Sequence, residues 1–173
     1  MSRRLRTRSF ALLAAVGLTA LGGLLVGASR ADDPPPPPAN VAAVLKGHAE
    51  SVYAVAFTPD NKYVVTGSFD KTLKVFETAS GKEMKTFGGP QGHTALVLAV
   101  AVSPDGTLVA SGGSDNTAKI WDFPSANSVR DYALADAANA VALSPDGAKV
   151  AAAGKDGLVK VWTTADGKDA FTL

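Results

Sequence analysis

The sequence predicts an all-β fold of three consecutive four-stranded antiparallel sheets, and three observations predict it. A pattern of about twenty letters occurs three times: FTPDNKYVVTGSFDKTLKVFE at 57–77, SPDGTLVASGGSDNTAKIWD at 103–122 and LSPDGAKVAAAGKDGLVKVWT at 143–163. Self-similarity at this period is the mark of stacked repeat units. The apolar runs inside each copy are short and rich in Val, Ile, Leu and aromatic residues, which is the chemistry of strands. Between them stand Pro-Asp turns, and no run is long enough for a helix.

The first thirty-one residues are set aside before the fold is read. Arg3, Arg4, Arg6 and Arg8 precede an uncharged stretch from Phe10 to Val26, and Ser29-Arg30-Ala31 places small residues where a signal peptidase cuts. Residues 1–31 are expected to be a signal peptide that exports the chain to the periplasm or the exterior. The alternative is an uncut membrane anchor through residues 10–26, at the lower edge of spanning length. Residues 32–40 follow as a linker, in which five prolines at 34–38 favour a stiff polyproline II spacer of roughly 15 Å. The repeat region is expected over 41–173, with copies at about 45–87, 88–132 and 133–173.

The spacing inside the repeats is regular. Pro59, Pro104 and Pro145 each open a turn; Asp70, Asp115 and Asp156 come eleven residues later, and Phe76, Trp121 and Trp162 six after that. Successive copies lie 45 and 41 residues apart, so about four residues are inserted between the first two. GGPQG, around Gly88 to Gln91, reads as that insertion and as a surface loop. In the turns, Pro presets φ and Gly106 or Gly147 accepts positive φ, with Asn61 the substitute in the first copy. AAVLK near 42–46 is read as a leading strand. Each copy then closes with a more polar strand, KEMKTF at 82–87, NSVRDYAL around 127–134 and KDAFTL at 168–173, suited to an outer edge. Strands that are apolar on both faces need a sheet on either side, which is the logic of a propeller blade.

These residues resemble the WD-repeat (WD40-type) β-propellers, over positions 45–173. The second copy carries Gly92-His93, Ser111, Asp115 and Trp121-Asp122 in the order of the family motif. The resemblance implies a buried hydrogen-bonded tetrad of His, Ser/Thr, Asp and Trp within a blade. It is complete as His93, Ser111, Asp115 and Trp121. The first copy supplies His48, Thr66 and Asp70 but has Phe76, which carries no indole N–H. The third keeps Asp156 and Trp162 and has Leu134 and Ala152 in place of His and Ser. The family also binds partners on its narrow face, which implies contact roles for Ser51, Tyr53 and Phe69, for Leu96, Leu98 and Ser114, and for Asn139 and Lys155.

The His, Ser or Thr and Asp sets look on paper like hydrolase constellations, but inside a blade such a His satisfies buried polar atoms, and no catalytic residue is expected. The Pro-Asp turns lack the alternating carboxylates of a calcium loop, and no cysteine supplies a thiolate ligand, so neither metal nor cofactor is expected. Residues 1–31 carry five Arg and no acid; beyond them stand 12 basic against 16 acidic residues. That net charge of −4, without a basic face, argues against nucleic acid as a partner.

Three blades cannot close a propeller, so the outer faces of the first and third are expected bare, with Val52, Val55, Val75, Val141, Val150 and Val161 on them. Either the three repeats are part of a larger propeller, or copies associate to complete one. The expected function is a non-catalytic protein-binding module or scaffold. The alternative is a fragment of a larger propeller protein such as a hydrolase or redox enzyme, since fold alone does not decide chemistry.

Overall fold

The computed structural model describes residues 43–173. The expected leader and linker lie outside the described residues. Twelve strands form three sheets, each a simple antiparallel meander in chain order. The first contains β1 (Val52–Phe57), β2 (Tyr63–Ser68), β3 (Leu73–Glu77) and β4 (Glu83–Phe87). The second contains β5 (Val97–Val102), β6 (Leu108–Gly113), β7 (Thr117–Asp122) and β8 (Ser128–Ala133), and the third β9 (Ala138–Leu143), β10 (Lys149–Gly154), β11 (Val159–Thr163) and β12 (Asp169–Thr172).

The turns follow from their residues. Asn61, Gly106 and Gly147 hold φ of 56°, 72° and 69°, the left-handed conformation that Gly and Asn tolerate best. In each turn the Asp accepts from the backbone N–H two residues on, at 3.0 Å, and from a hydroxyl two residues back, on Thr58, Ser103 or Ser144. The inserted GGPQG forms one 3-10 turn at Gly89–Gln91.

Residues directly opposite on neighbouring strands share a face, so the pairing shows which side of each sheet meets the next. In the first sheet Gly67, Leu73 and Phe87 form one row and Val65 and Val75 lie in the next. This face packs on Val97, Val109 and Trp121 of the second sheet. The opposite side of the second sheet presents Ala110, Ala118, Ile120 and Tyr132 to Ala138, Val150, Ala152 and Trp162 of the third. Small residues mark the closest approach. A Cβ on Gly67 would stand 2.7 Å from Val97 Cγ1, and one on Gly112 would stand 2.7 Å from the Ala138 carbonyl oxygen.

A basic side chain of the fourth strand ties each sheet to the next. Lys85 Nζ donates to the carbonyls of Phe123 and Pro124, in the turn between β7 and β8. Arg130, 45 residues on, donates from Nη1 to Asp166 O at 3.1 Å and from Nη2 to Ala165 O at 2.9 Å, in the turn between β11 and β12. The next position in this series is Phe171.

Two expectations change. The leading strand expected near 42–46 does not form in its described part, because a strand is defined by its ladder and none of the three sheets pairs with residues 43–46. The bare faces also differ from those expected. Val52 and Val55 are 51% and 64% exposed, as read, but Val75 and Val150 are buried in the two different seams, and Val141 packs against the cluster that holds Val150. The open side of the third sheet instead carries Ala140, Ala142, Ala151, Ala153, Val159 and Phe171, with Val161 shielded between Ala151 and Phe171. A strand that is apolar on both sides does not reveal which side has the neighbour.

Candidate functional site

In the second blade the tetrad is a directed chain of hydrogen bonds. Asp115 sits 3.0 Å from His93 Nδ1, and a carboxylate there places the neutral ring's proton on Nδ1. His93 Nε2, 2.7 Å from Ser111 Oγ, then accepts the serine proton, and Ser111 Oγ accepts the indole N–H of Trp121 at 2.8 Å. Asp115 also accepts from the Thr94 N–H and the Thr117 hydroxyl, at 2.9 and 2.7 Å. Burial pushes the Asp115 carboxyl up, but the hydrogen bonds from His93, Thr117 and Thr94 outweigh it and leave it well below the usual carboxylate range.

These are the residue types and distances of a serine nucleophile with its base and orienting acid. Ser111, however, has no accessible surface, and its oxygen already accepts from Trp121. No substrate carbon can approach it. The arrangement anchors the segment before β5 to β6 and to the turn that precedes β7.

The first blade repeats the pattern without the indole. His48 Nδ1 is 2.8 Å from Asp70 and Nε2 is 2.7 Å from Thr66 Oγ1, while Phe76 packs edge-on to the imidazole with ring centres 6.2 Å apart. Asp70 is held low in the same way: burial raises it, and bonds from Thr72, His48 and the Ala49 N–H more than compensate. In the third blade the polar set is replaced by packing. Leu134 and Ala152 are buried, and Trp162 lies 4.8 Å from the Tyr132 ring and makes no side-chain hydrogen bond among the described residues. Asp156 is exposed and, among the described residues, accepts only from the Leu158 N–H, at 3.1 Å.

Sequence reasoning missed Thr72 and Thr117, whose hydroxyls complete the carboxylate shells. The signal was present: Asp-x-Thr stands in both copies that carry a His, and Asp156-Gly157-Leu158 in the copy that does not.

The residues expected to contact a partner gather at one end of the sheets. The Phe69, Ser114 and Lys155 N–H groups donate to the carbonyls of Ser51, Leu96 and Ala137, so the three loops are built alike. Tyr53, 64% exposed, stacks on Phe69 with ring centres 5.3 Å apart and planes 23° apart. Ser51, Asn139 and Lys155 are exposed, and Leu96, Leu98 and Ser114 are half-buried. Phe69 is half-buried like the two leucines, so Tyr53 is the most accessible apolar side chain among these residues.

The WD domain, G-beta repeat matches residues 40–77, 81–122 and 133–163. The chain belongs to the WD40 repeat family. Single WD40 repeats are similar to curated proteins: 50% identity over 36 residues to the protein HIRA of Dictyostelium discoideum, covering 21% of this chain and 3% of that one. Ribosome assembly protein 4 of Saccharomyces cerevisiae is 42% identical over 45 residues, or 26% of this chain and 9% of its own. Among solved structures, U3-55K and the RRP9 WD40 repeats each align at 28% identity with a TM-score of 0.72, over 76% of this chain and 41% of theirs. The WD40 chain thus spans less than half the length of each of these relatives. Its three blades form an incomplete, unclosed propeller.

Proposed function

We propose that this WD40 chain is an exported, non-catalytic protein-binding module that engages its partner through the end of the sheets carrying Tyr53, Phe69 and Leu98. The observation that carries the reading is exposed Tyr53, stacked on half-buried Phe69 beside two half-buried leucines, while both histidine sets are turned inward and consumed in hydrogen bonds. Solvent-facing aromatic and aliphatic groups in a cluster are the usual anchors of protein contacts. Tyr53→Ala and Leu98→Asp are expected to abolish recovery of bound protein in a pull-down from the native source while leaving the unfolding midpoint within about 1 kcal/mol of the parent. Undiminished recovery with both variants would sink this surface as the site.

Export rests on the Arg-led, uncharged N-terminal stretch and the small residues Ser29 and Ala31. N-terminal sequencing of protein collected outside the cytoplasm is expected to begin at Asp32. A start at Met1 or Ser2 in a membrane fraction would instead establish the anchor.

A further inference from the structure

The repeat relates residues by constant offsets, so the two seams between sheets can be compared with the two outer faces that have no sheet against them among the described residues. Gly67 of the first sheet lies against Val97 and Val100 of the second, and its counterpart Gly112 lies against Ala138 and Val141 of the third. The next counterpart on the donor side is Ala153, on the open face of the third sheet. The preceding counterparts on the receiving side are Val52 and Val55, on the open face of the first. The molecule therefore carries both halves of one more seam, at opposite ends of the stack.

The segment before the first sheet adds a second, independent observation. In the third sheet, Gly167 of the turn between β11 and β12 lies against Arg130, a residue of the preceding sheet's fourth strand. In the first sheet, Gly81 of the corresponding turn lies against Ala43, Val44 and Leu45. Val44 and Arg130 are 86 residues apart, the two repeat offsets of 45 and 41 combined. Residues 43–46 thus stand where the fourth strand of a preceding sheet would stand, without a sheet of their own.

We propose that a second copy of the chain covers the open face of the first sheet with its third sheet, and that residues 43–46 serve as the fourth strand of that third sheet in place of β12. β12 is suited to leave: it has four residues, all exposed, where β4 and β8 each bury part of theirs. In the exchanged pair Val44 takes the place of Phe171 opposite Val161, and Leu45 that of Thr172 opposite Lys160. Two sets of the three described sheets, each giving one strand to the other, make six blades, within the roughly four to eight at which propellers close, and are related by a twofold axis.

The chain contains no cysteine, which makes the test clean. Directly opposed residues have Cβ atoms about 4.5–5.5 Å apart, near the reach of a disulfide. The double variant Val44→Cys/Val161→Cys is expected to oxidise to a covalent dimer, while each single variant stays unlinked. Phe171→Cys/Val161→Cys locks β12 onto β11 within one chain and is expected to hold it monomeric. The unmodified chain, from its full sequence, is expected to show twice the chain mass by light scattering, and Val55→Asp to halve it. A monomeric parent chain, a double variant that does not cross-link, or a ladder of trimers and longer species would overturn the proposal. The parent chain's mass answers the question even if a variant folds poorly, and it is independent of the pull-down at Tyr53.

Discussion

Replacing Trp121 by Ala is expected to cost about 3–5 kcal/mol, the largest loss from any single side chain in the described fold. Trp121 has no accessible surface and lies between the first two sheets, edge-on to Phe87 with ring centres 5.8 Å apart. Its removal opens a cavity in the seam and also strips Ser111 of the indole N–H, so apolar and polar terms fall together. Two further variants separate them. Trp121→Phe keeps most of the packing and is expected to cost about 1–2 kcal/mol, since the first blade already runs with Phe76 at this position. Trp162→Ala removes an indole that is equally buried but bonds to nothing among the described residues, and should cost less than Trp121→Ala. Urea denaturation of the three variants measures this directly. Equal losses for Trp121→Ala and Trp162→Ala would mean that the hydrogen-bonded chain adds nothing beyond packing.

Asp115→Ala is expected to cost about 3 kcal/mol near pH 7, and Asp156→Ala less than 1. The first change leaves the His93 ring N–H and the Thr117 hydroxyl without their acceptor in a part-buried setting and also releases the more exposed Thr94 amide; the second releases one exposed amide alone. The Asp115 contribution also depends on pH with a definite sign. Its folded carboxyl lies below the unfolded value of about 3.9, so the unfolded chain takes up the proton first. Stability from this group is complete above about pH 4 and drains away as pH falls through the folded value. The gap between the parent and Asp115→Ala should therefore hold constant from pH 7 to about 5 and narrow below 4. A gap that persisted unchanged in strong acid would show that the carboxylate form is not what the bonds stabilise.

The strand order and turns were legible because each rests on local chemistry: Pro59, Pro104 and Pro145 with a left-handed residue after the Asp, and short β-rich runs between. The tetrad was legible only through its resemblance to a family, since His93, Ser111, Asp115 and Trp121 are scattered over 29 positions and meet only when β6 and β7 pair. What escaped was whatever depends on the neighbouring sheet. Val75 and Val150 sit in strands with apolar residues on both sides, and nothing in either strand marks the inward face. Residues 43–46 read as a strand by composition, yet a ladder needs an edge to bond to. Lys85 and Arg130 were passed over, because their partners are carbonyl oxygens, which every residue has and no sequence pattern singles out.

Those two basic residues always reach forward, from a sheet to the turn of the sheet that follows it in the chain. During synthesis a finished sheet therefore presents its cation to a turn that the ribosome has not yet delivered. At about 5–20 residues per second the 35–39 residues from cation to turn are a wait of roughly two to eight seconds, in which one apolar face stays open to water and to any holding chaperone. Each blade is then expected to be the template on which the next one docks, with the stack growing from the amino end to the carboxyl end.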